Sequence, residues 1–253
     1  MASKPANAEQ PLPLFYKNLV PLSSQLHPSH GIKPREDLGF TKGTHAIPVT
    51  VDEFAVAQRN YPIVFGLGEN PAPLALVGLQ EGTNLYIGDD NQWEKGQYIP
   101  AFVRRYPFML ARLSPQSQDL SLCFDDSDPT ISADAEQKLF DGAEATDTTK
   151  GILAFCEQFE QAVFRTRTFM DELAKLDLLM DGEVTIQREG LKEPAVYRGF
   201  RMVAEEKLQG LRGDQTRKLV QSGMMGLIYA HLFSLSLISP LFERQFAAST
   251  KTA

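Results

Sequence analysis

The sequence predicts an α+β fold. Its expected form is an antiparallel or mixed sheet, built partly from two similar helix–Tyr-Pro–strand units and packed against two long helices from the C-terminal half. Three observations lead there. First, the phrase Arg59-Asn60-Tyr61-Pro62-Ile63-Val64-Phe65 is echoed by Arg104-Arg105-Tyr106-Pro107-Phe108-Met109-Leu110. Each copy follows a helical-looking run and precedes an apolar one, which suggests a duplicated helix–turn–strand unit. Second, the N-terminal half alternates short apolar runs with Pro, Gly and polar loops, the pattern of short strands. Third, from Gly151 onward apolar residues return at three- and four-residue spacing over long stretches, the period of a helix.

Leu14–Val20 and Ile47–Val49 are short apolar runs, each broken by Pro or polar residues. Between them Gln25–Gly43, rich in His, Pro, Gly and charge, reads as a loop or as extended chain over a surface. Thr50-Val51-Asp52-Glu53 fits a capping box: Thr50 can accept from the Glu53 N–H while the Glu53 side chain reaches back. The helix it starts should run to about Asn60. Tyr61 precedes Pro62, whose ring pushes the preceding residue out of the α region, so the helix stops and Ile63–Phe65 begins a strand. Pro71–Pro73 reads as a turn, and Leu74–Leu79 with Asn84–Ile87 as a hairpin across Gln80–Thr83.

The second copy repeats the scheme. Ile99–Arg105 reads as a helix with Pro100 tolerated in its first turn, followed by the Tyr106-Pro107 stop and a strand at Phe108–Leu113. A loop over Ser114–Asp119 then leads to a strand at Leu120–Phe124, and with the same offset Leu74–Leu79 falls close to that strand. Asp125–Thr149 reads as a long acidic loop with one short helix near Ala135–Phe140, and as a candidate boundary or functional loop. Ile152, Phe155, Phe159, Val163, Thr166, Met170 and Leu173 then mark a strong helix from Gly151 to about Leu179. Glu183–Gln187 and Arg198–Val203 read as strands around a turn at Gly190–Pro194. Ala204–Leu211 reads as a short helix, and Gln215 to beyond Phe233 as the last helix, with Asp214 as its cap.

At 253 residues and 43% hydrophobic, the chain can bury a sizeable core. Residues 14–246 are expected to form one domain, because the final helix is too apolar to stand alone. Residues 1–13, polar and Pro-rich, are expected as a disordered lead-in, and residues 247–253 as a disordered tail. The net charge of −7 argues against a nucleic-acid surface, which needs a basic footprint to displace counterions. The start lacks the charged and apolar regions of a signal peptide, so a cytoplasmic protein is expected. Cys123 and Cys156 are too far apart for a CxxC motif and sit in apolar runs, as buried free thiols would. Leu219–Phe242 carries no formal charge and is long enough to span a bilayer, but Gln221, His231, Pro240 and four serines interrupt it. A buried central helix is expected there rather than a transmembrane segment.

No motif identifies a reaction. Arg104, Arg105 and Tyr106 could line a pocket for an anion or carboxylate, since guanidinium forks bind such groups in a bidentate way. The alternative is that Tyr-Pro ends a helix, the tyrosine packs inside and an arginine caps helix carbonyls. Trp93, the only tryptophan, could be a binding platform or a packing residue. Asp125 and Asp126 could do acid–base work only if buried against a partner. Asp125-Asp126-Ser127-Asp128 fails the EF-hand pattern and reads better as a solvated acidic turn. His27, His30 and His45 match no metal-ligand spacing, and His231 reads as a hydrogen-bonded interior histidine. Gly66-Leu67-Gly68 resembles a phosphate loop, but Pro71 and Pro73 follow where a helix should open. The candidate ligand-binding set is therefore Trp93, Tyr98, Arg104, Arg105, Tyr106, Asp125, Asp126 and His231, with no metal and no cofactor expected.

The run from Trp93 through Tyr98-Ile99-Pro100-Ala101-Phe102-Val103-Arg104-Arg105-Tyr106-Pro107-Phe108 resembles the signature of the bacterial SapC-like family. Tyr61–Phe65, Asn84–Ile87, Gly199-Phe200, Glu205–Leu208 and Tyr229–Leu235 add to the likeness, which spans roughly Leu14 to Phe242. The family shares a name with a peptide-transport permease but is distinct from it. The resemblance implies a link to bacterial surface layers and brings no established catalytic residues. It also implies relatives encoded beside flavin-dependent halogenase-like enzymes, cupin-like oxygenases and TonB-dependent receptors. That context favours an accessory role in small-molecule or peptide metabolism. The chain departs from the family where Asp126 stands for Glu and Ala204 for Asp.

The leading expectation is a non-enzymatic binding or accessory protein with a small-molecule, peptide or protein partner and a homo-oligomer left open. The alternatives are an uncharacterised enzyme working through Asp125, Asp126, Tyr106 and Arg104, and a surface-layer component.

Overall fold

The computed structural model describes residues 12–68, 71–114, 119–187 and 194–252. Most of the expected lead-in, most of the Gly190–Pro194 turn and the middle of the Ser114–Asp119 loop lie outside these residues. In chain order the strands are β1 (Leu19–Pro21), β2 (Gly31–Ile32), β3 (Ala46–Pro48), β4 (Ile63–Phe65), β5 (Pro73–Leu76), β6 (Phe108–Ala111), β7 (Ser121–Asp125), β8 (Ile131–Ser132), β9 (Gln137–Lys138), β10 (Phe140–Asp141), β11 (Glu144–Ala145), β12 (Leu179–Ile186) and β13 (Ala195–Val203). The helices are α1 (Phe54–Ala57), α2 (Ala101–Arg105), α3 (Asp147–Lys175), α4 (Glu205–Gln209), α5 (Gly213–Gln221), α6 (Met224–Ser234) and α7 (Ile238–Thr252). Helices and antiparallel sheets together make the chain α+β, as the sequence predicts.

The chain forms two compact units. The first takes the chain up to Phe40 together with Val103–Gln161; the second takes Thr41–Phe102 and everything from Ala162 onward.

In the first unit β6 and β7 pair antiparallel with Phe108 opposite Phe124, and β1 adds to the other edge of β7 with Leu19 opposite Asp125. Along β6 the side chains alternate, Phe108 and Leu110 buried and Met109 and Ala111 half-buried, because successive strand residues face opposite sides. Phe108, Leu110 and Phe124 pack with Ile131, Leu139 and Cys156 of α3 into one core.

The stretch after β7 differs from expectation. Instead of a loop with a helix near Ala135–Phe140, it forms β8 to β11, and β2 sits between β8 and β9 as the centre of a small antiparallel sheet. Partners distant in sequence override local propensity here. Gly31 makes the close approach possible, since a Cβ there would lie 2.7 Å from the carbonyl oxygens of Ala135 and Gln137.

The second unit is built on a five-stranded sheet in the order β12-β13-β4-β5-β3. A bulge falls at Gly182/Glu183, where a Cβ on Gly182 would sit 2.1 Å from the Phe200 ring. Phe54, Phe65 and Phe169 meet in the core, with His231 stacked on Phe65 at 4.5 Å. The capping box forms at Thr50, where Glu53 Oε2 accepts from the Thr50 N–H at 2.8 Å. The helix behind it is shorter than expected, a 3₁₀ turn over Val51–Glu53 followed by α1.

Asn84–Ile87 is not the second arm of a hairpin. The Leu85 N–H bonds Val77 O at 2.8 Å and Ile87 bridges to Trp93, while the Asn84 side chain is bonded to Thr41. The last helix is also not one element. Gly223, at φ +77°, separates α5 from α6, a conformation that glycine adopts without a Cβ penalty. Arg212, not Asp214, is the N-cap residue of α5. Nor is this segment a buried central helix: Phe233 is 67% exposed. Met224–Ala248 is long and apolar enough to cross a membrane by length and composition, with 33% of its most apolar window buried.

The two echoed phrases do share an order of elements. α1, Tyr61-Pro62, β4 and β5 run in the first copy; α2, Tyr106-Pro107, β6 and β7 run in the second, each ending in an antiparallel pair. Trp93 packs with the first copy rather than the second.

Candidate functional site

Asp125, fully buried at the end of β7, organises the best-formed polar site of the first unit. Its Oδ2 accepts from the Lys17 N–H at 2.6 Å and from the Tyr106 hydroxyl at 3.3 Å. Its Oδ1 accepts from the Asn18 N–H at 3.2 Å, the Ser127 N–H at 3.0 Å and the Ser127 hydroxyl at 2.7 Å. The carboxylate thus ties the approach to β1, the turn after β7 and the Tyr-Pro tyrosine to one point. Burial alone would raise the Asp125 pKa, but the hydrogen bonds from Ser127, Lys17 and Asn18 outweigh it and hold it below the usual carboxylate value.

Three residues on, Asp128 is also buried and accepts from the Thr130 N–H at 3.0 Å and from the Thr130 hydroxyl. It pairs with Arg35 Nη2 at 2.6 Å, and the same Nη2 donates to Thr130 Oγ1 at 3.0 Å. The acidic run is therefore not a solvated turn. Two of its three carboxylates are turned inward because backbone N–H groups and Arg35 need acceptors there.

The Arg35 guanidinium lies over two rings, 5.2 Å from the Phe40 centroid and 5.1 Å from that of Tyr106. Those rings are themselves 4.6 Å apart. Stacking and the Asp128 pair fix the guanidinium in place. Phe15, at φ +79°, closes the cluster edge-on to Phe40 at 5.0 Å; a bulky residue in that region is a strained one. Arg35, Phe40, Tyr106 and Asp128, with Lys17 and Lys33, line a cleft of about 450 Å³. Among the described residues, Arg35 Nε and Nη1 have no hydrogen-bond partner. Burial, then the charges of Asp128 and Asp125, push the Tyr106 phenol well above its ordinary value, so it remains a hydrogen-bond donor.

The other residues singled out by sequence fall elsewhere. Asp126 is exposed and accepts from the Asn18 side chain at 2.6 Å. Arg104 lies over Phe155 at 5.3 Å and does not line the cleft. Arg105 is buried, stacked on Phe159 at 4.1 Å and paired with Glu160 at 3.2 Å.

Trp93, Tyr98 and His231 belong to the second unit. Trp93 is buried, and its indole N–H donates to the Tyr61 hydroxyl at 3.0 Å. Tyr61 donates onward to Tyr98 O, and the Tyr98 hydroxyl donates to Glu53 at 3.0 Å. Burial pushes the Tyr61 phenol up as well. His231 Nδ1 is 2.8 Å from Ile63 O, and its Nε2 accepts from the Val203 N–H at 3.1 Å. Burial lowers its pKa to about 4. His27 and His30 face each other edge-on at 5.0 Å, while His45 is in the second unit. Among the described residues no three His, Cys, Asp or Glu side chains are grouped to hold a metal.

Sequence reasoning thus found Tyr106 and the acidic run but missed Arg35, Phe40, Lys17 and Lys33. The signal for Lys33, Arg35 and Phe40 was charge and an aromatic in a segment that reads as a loop, and Lys17 sits in a short apolar run.

Fold and cleft define an α+β protein with an aromatic-floored, arginine-bearing cleft. The SapC family profile matches residues 22–241, and the chain belongs to the SapC family. No curated protein and no solved structure matches it.

Proposed function

We propose that the protein is a non-enzymatic binding protein that holds the carboxylate of a small molecule or peptide in the first unit's cleft. In this reading it supports modification of that ligand by other proteins and acts in the cytoplasm. The observation that carries the proposal is Arg35: stacked on Phe40 and Tyr106, tethered through Nη2, and with Nε and Nη1 bonded to none of the described residues. A guanidinium held this way is a ready fork for a planar anion. Lys17 and Lys33 share the lining with Glu36, Asp37 and Asp128, and Lys33 pairs with Asp134 at 2.9 Å, so the Arg35 fork rather than net charge would select the anion.

The enzymatic alternative draws on Ser127 and Tyr106, both of which touch Asp125. A nucleophile needs a neighbouring base whose pKa lies near the working pH. Asp125 is held below the carboxylate range and the Tyr106 phenol above its ordinary value, so neither suits that role.

Native mass spectrometry of the protein purified from its own host provides the test. A retained small-molecule or peptide mass should be present in the wild type and absent from Arg35→Gln. A bound mass that survives the substitution, or one converted to product by the pure protein, overturns the reading.

A further inference from the structure

The second unit contains a larger cavity, of about 590 Å³, within the size range of small-molecule sites. α3 forms one wall with Val163 and Met170, and Leu179 at the start of β12 adds to the apolar surface. Two arginines line the same space, Arg167 from α3 and Arg201 from β13. Among the described residues Arg167 has no ion-pair partner. Among the described residues the ion-pair partner of Arg201 is Asp181, at 3.8 Å, and that carboxylate is 90% exposed. Asp171, also on the lining, leaves two guanidinium groups against one carboxylate. Water-exposed arginines gain little from a distant exposed partner. Beside apolar side chains on one cavity lining they can bind an anionic head while those side chains take an apolar body.

We propose that this cavity is a binding site for an amphiphilic monocarboxylate, of which a medium-chain acyl acid is the simplest case. The site uses Arg167 and Arg201 for the head group and the Val163, Met170 and Leu179 surface for the chain. It shares no lining residue with the first unit's cleft, so either site can fail without the other.

The probe is decanoate, titrated by isothermal calorimetry into the full chain, with 1-decanol as the uncharged comparison. Decanoate should bind at one saturable site and decanol much more weakly. Arg167→Gln and Arg201→Gln should each weaken decanoate by roughly 10- to 100-fold, the range for losing a charge-assisted hydrogen bond. Arg217→Gln, an exposed arginine on α5, should leave it unchanged. Ala174 is exposed and lines the cavity, so Ala174→Trp should fill it and abolish binding with the circular dichroism melt unaltered. Three results would each overturn the proposal: no saturable binding, equal affinity for decanol, or indifference to both lining arginines.

Discussion

Lowering the pH from 7 to 5 should cost the protein stability through His231. The imidazole is enclosed, bonded to Ile63 O and the Val203 N–H and stacked on Phe65. Burial holds its pKa at about 4 against an ordinary 6.5, with the Ile63 carbonyl pulling weakly the other way. In the unfolded chain the ring takes up a proton near pH 6.5; in the folded chain it stays neutral to about pH 4. The unfolded state therefore binds more protons throughout that window, and stability falls as pH falls through it. With those two values the loss between pH 7 and pH 5 is about 2 kcal/mol. Urea unfolding at pH 7, 6 and 5 measures it, and the wild type should lose about that much more than His231→Gln. Imidazole NMR of the folded protein adds a direct reading. A His231 ring titrating near 6.5 in the folded state, or identical pH slopes for the two proteins, would refute the reasoning.

Four further outcomes are expected. Asp125→Ala strands the Lys17, Asn18 and Ser127 N–H groups, and at ~1–3 kcal/mol for each donor it should lower stability by about 3 kcal/mol or more in chemical denaturation. Glu53→Ala removes the acceptor of the Thr50 and Ala101 N–H groups and of the Tyr98 hydroxyl, and should cost about 2–4 kcal/mol by the same assay. Gly223→Ala forces a Cβ into the left-handed region and should cost about 1–2 kcal/mol, read as a lower thermal midpoint. Cys123 and Cys156 are buried with thiols pushed up to about 11, so iodoacetamide at pH 8 should label both in urea and neither in the folded protein.

Local rules explain which parts of the fold could be read from sequence. The Tyr-Pro stops at Pro62 and Pro107, the strands behind them and most of α3 follow from steric exclusion before proline and from apolar period, which need no distant partner. The two-residue strands β2, β8 and β9 have too little sequence to show a period and exist only because they pair with one another. The cleft was half legible. Tyr106 and the acidic run stood out, but Arg35 becomes meaningful only when folding brings it onto the Tyr106 ring. The uncharged run after Leu219 reads as buried because composition reports polarity and not position; the Gly223 break and the exposed Phe233 are set by packing. Trp93 lies next to the second copy in sequence yet bonds Tyr61 of the first, a contact that only folding creates.

Neither unit is a continuous piece of chain, and this sets the order in which the protein can fold during synthesis. β1 emerges from the ribosome early, yet its hydrogen-bonding edge waits for β7, which follows the whole of β3, β4 and β5. The sheet of the second unit is likewise begun by β3, β4 and β5 and finished only by β13. Pairings across such long sequence separation are slow to form, because the intervening chain must be ordered first. The nascent protein therefore carries unpaired strand edges through most of its translation, and a chaperone that shields edges should raise its yield more than one that shields helices.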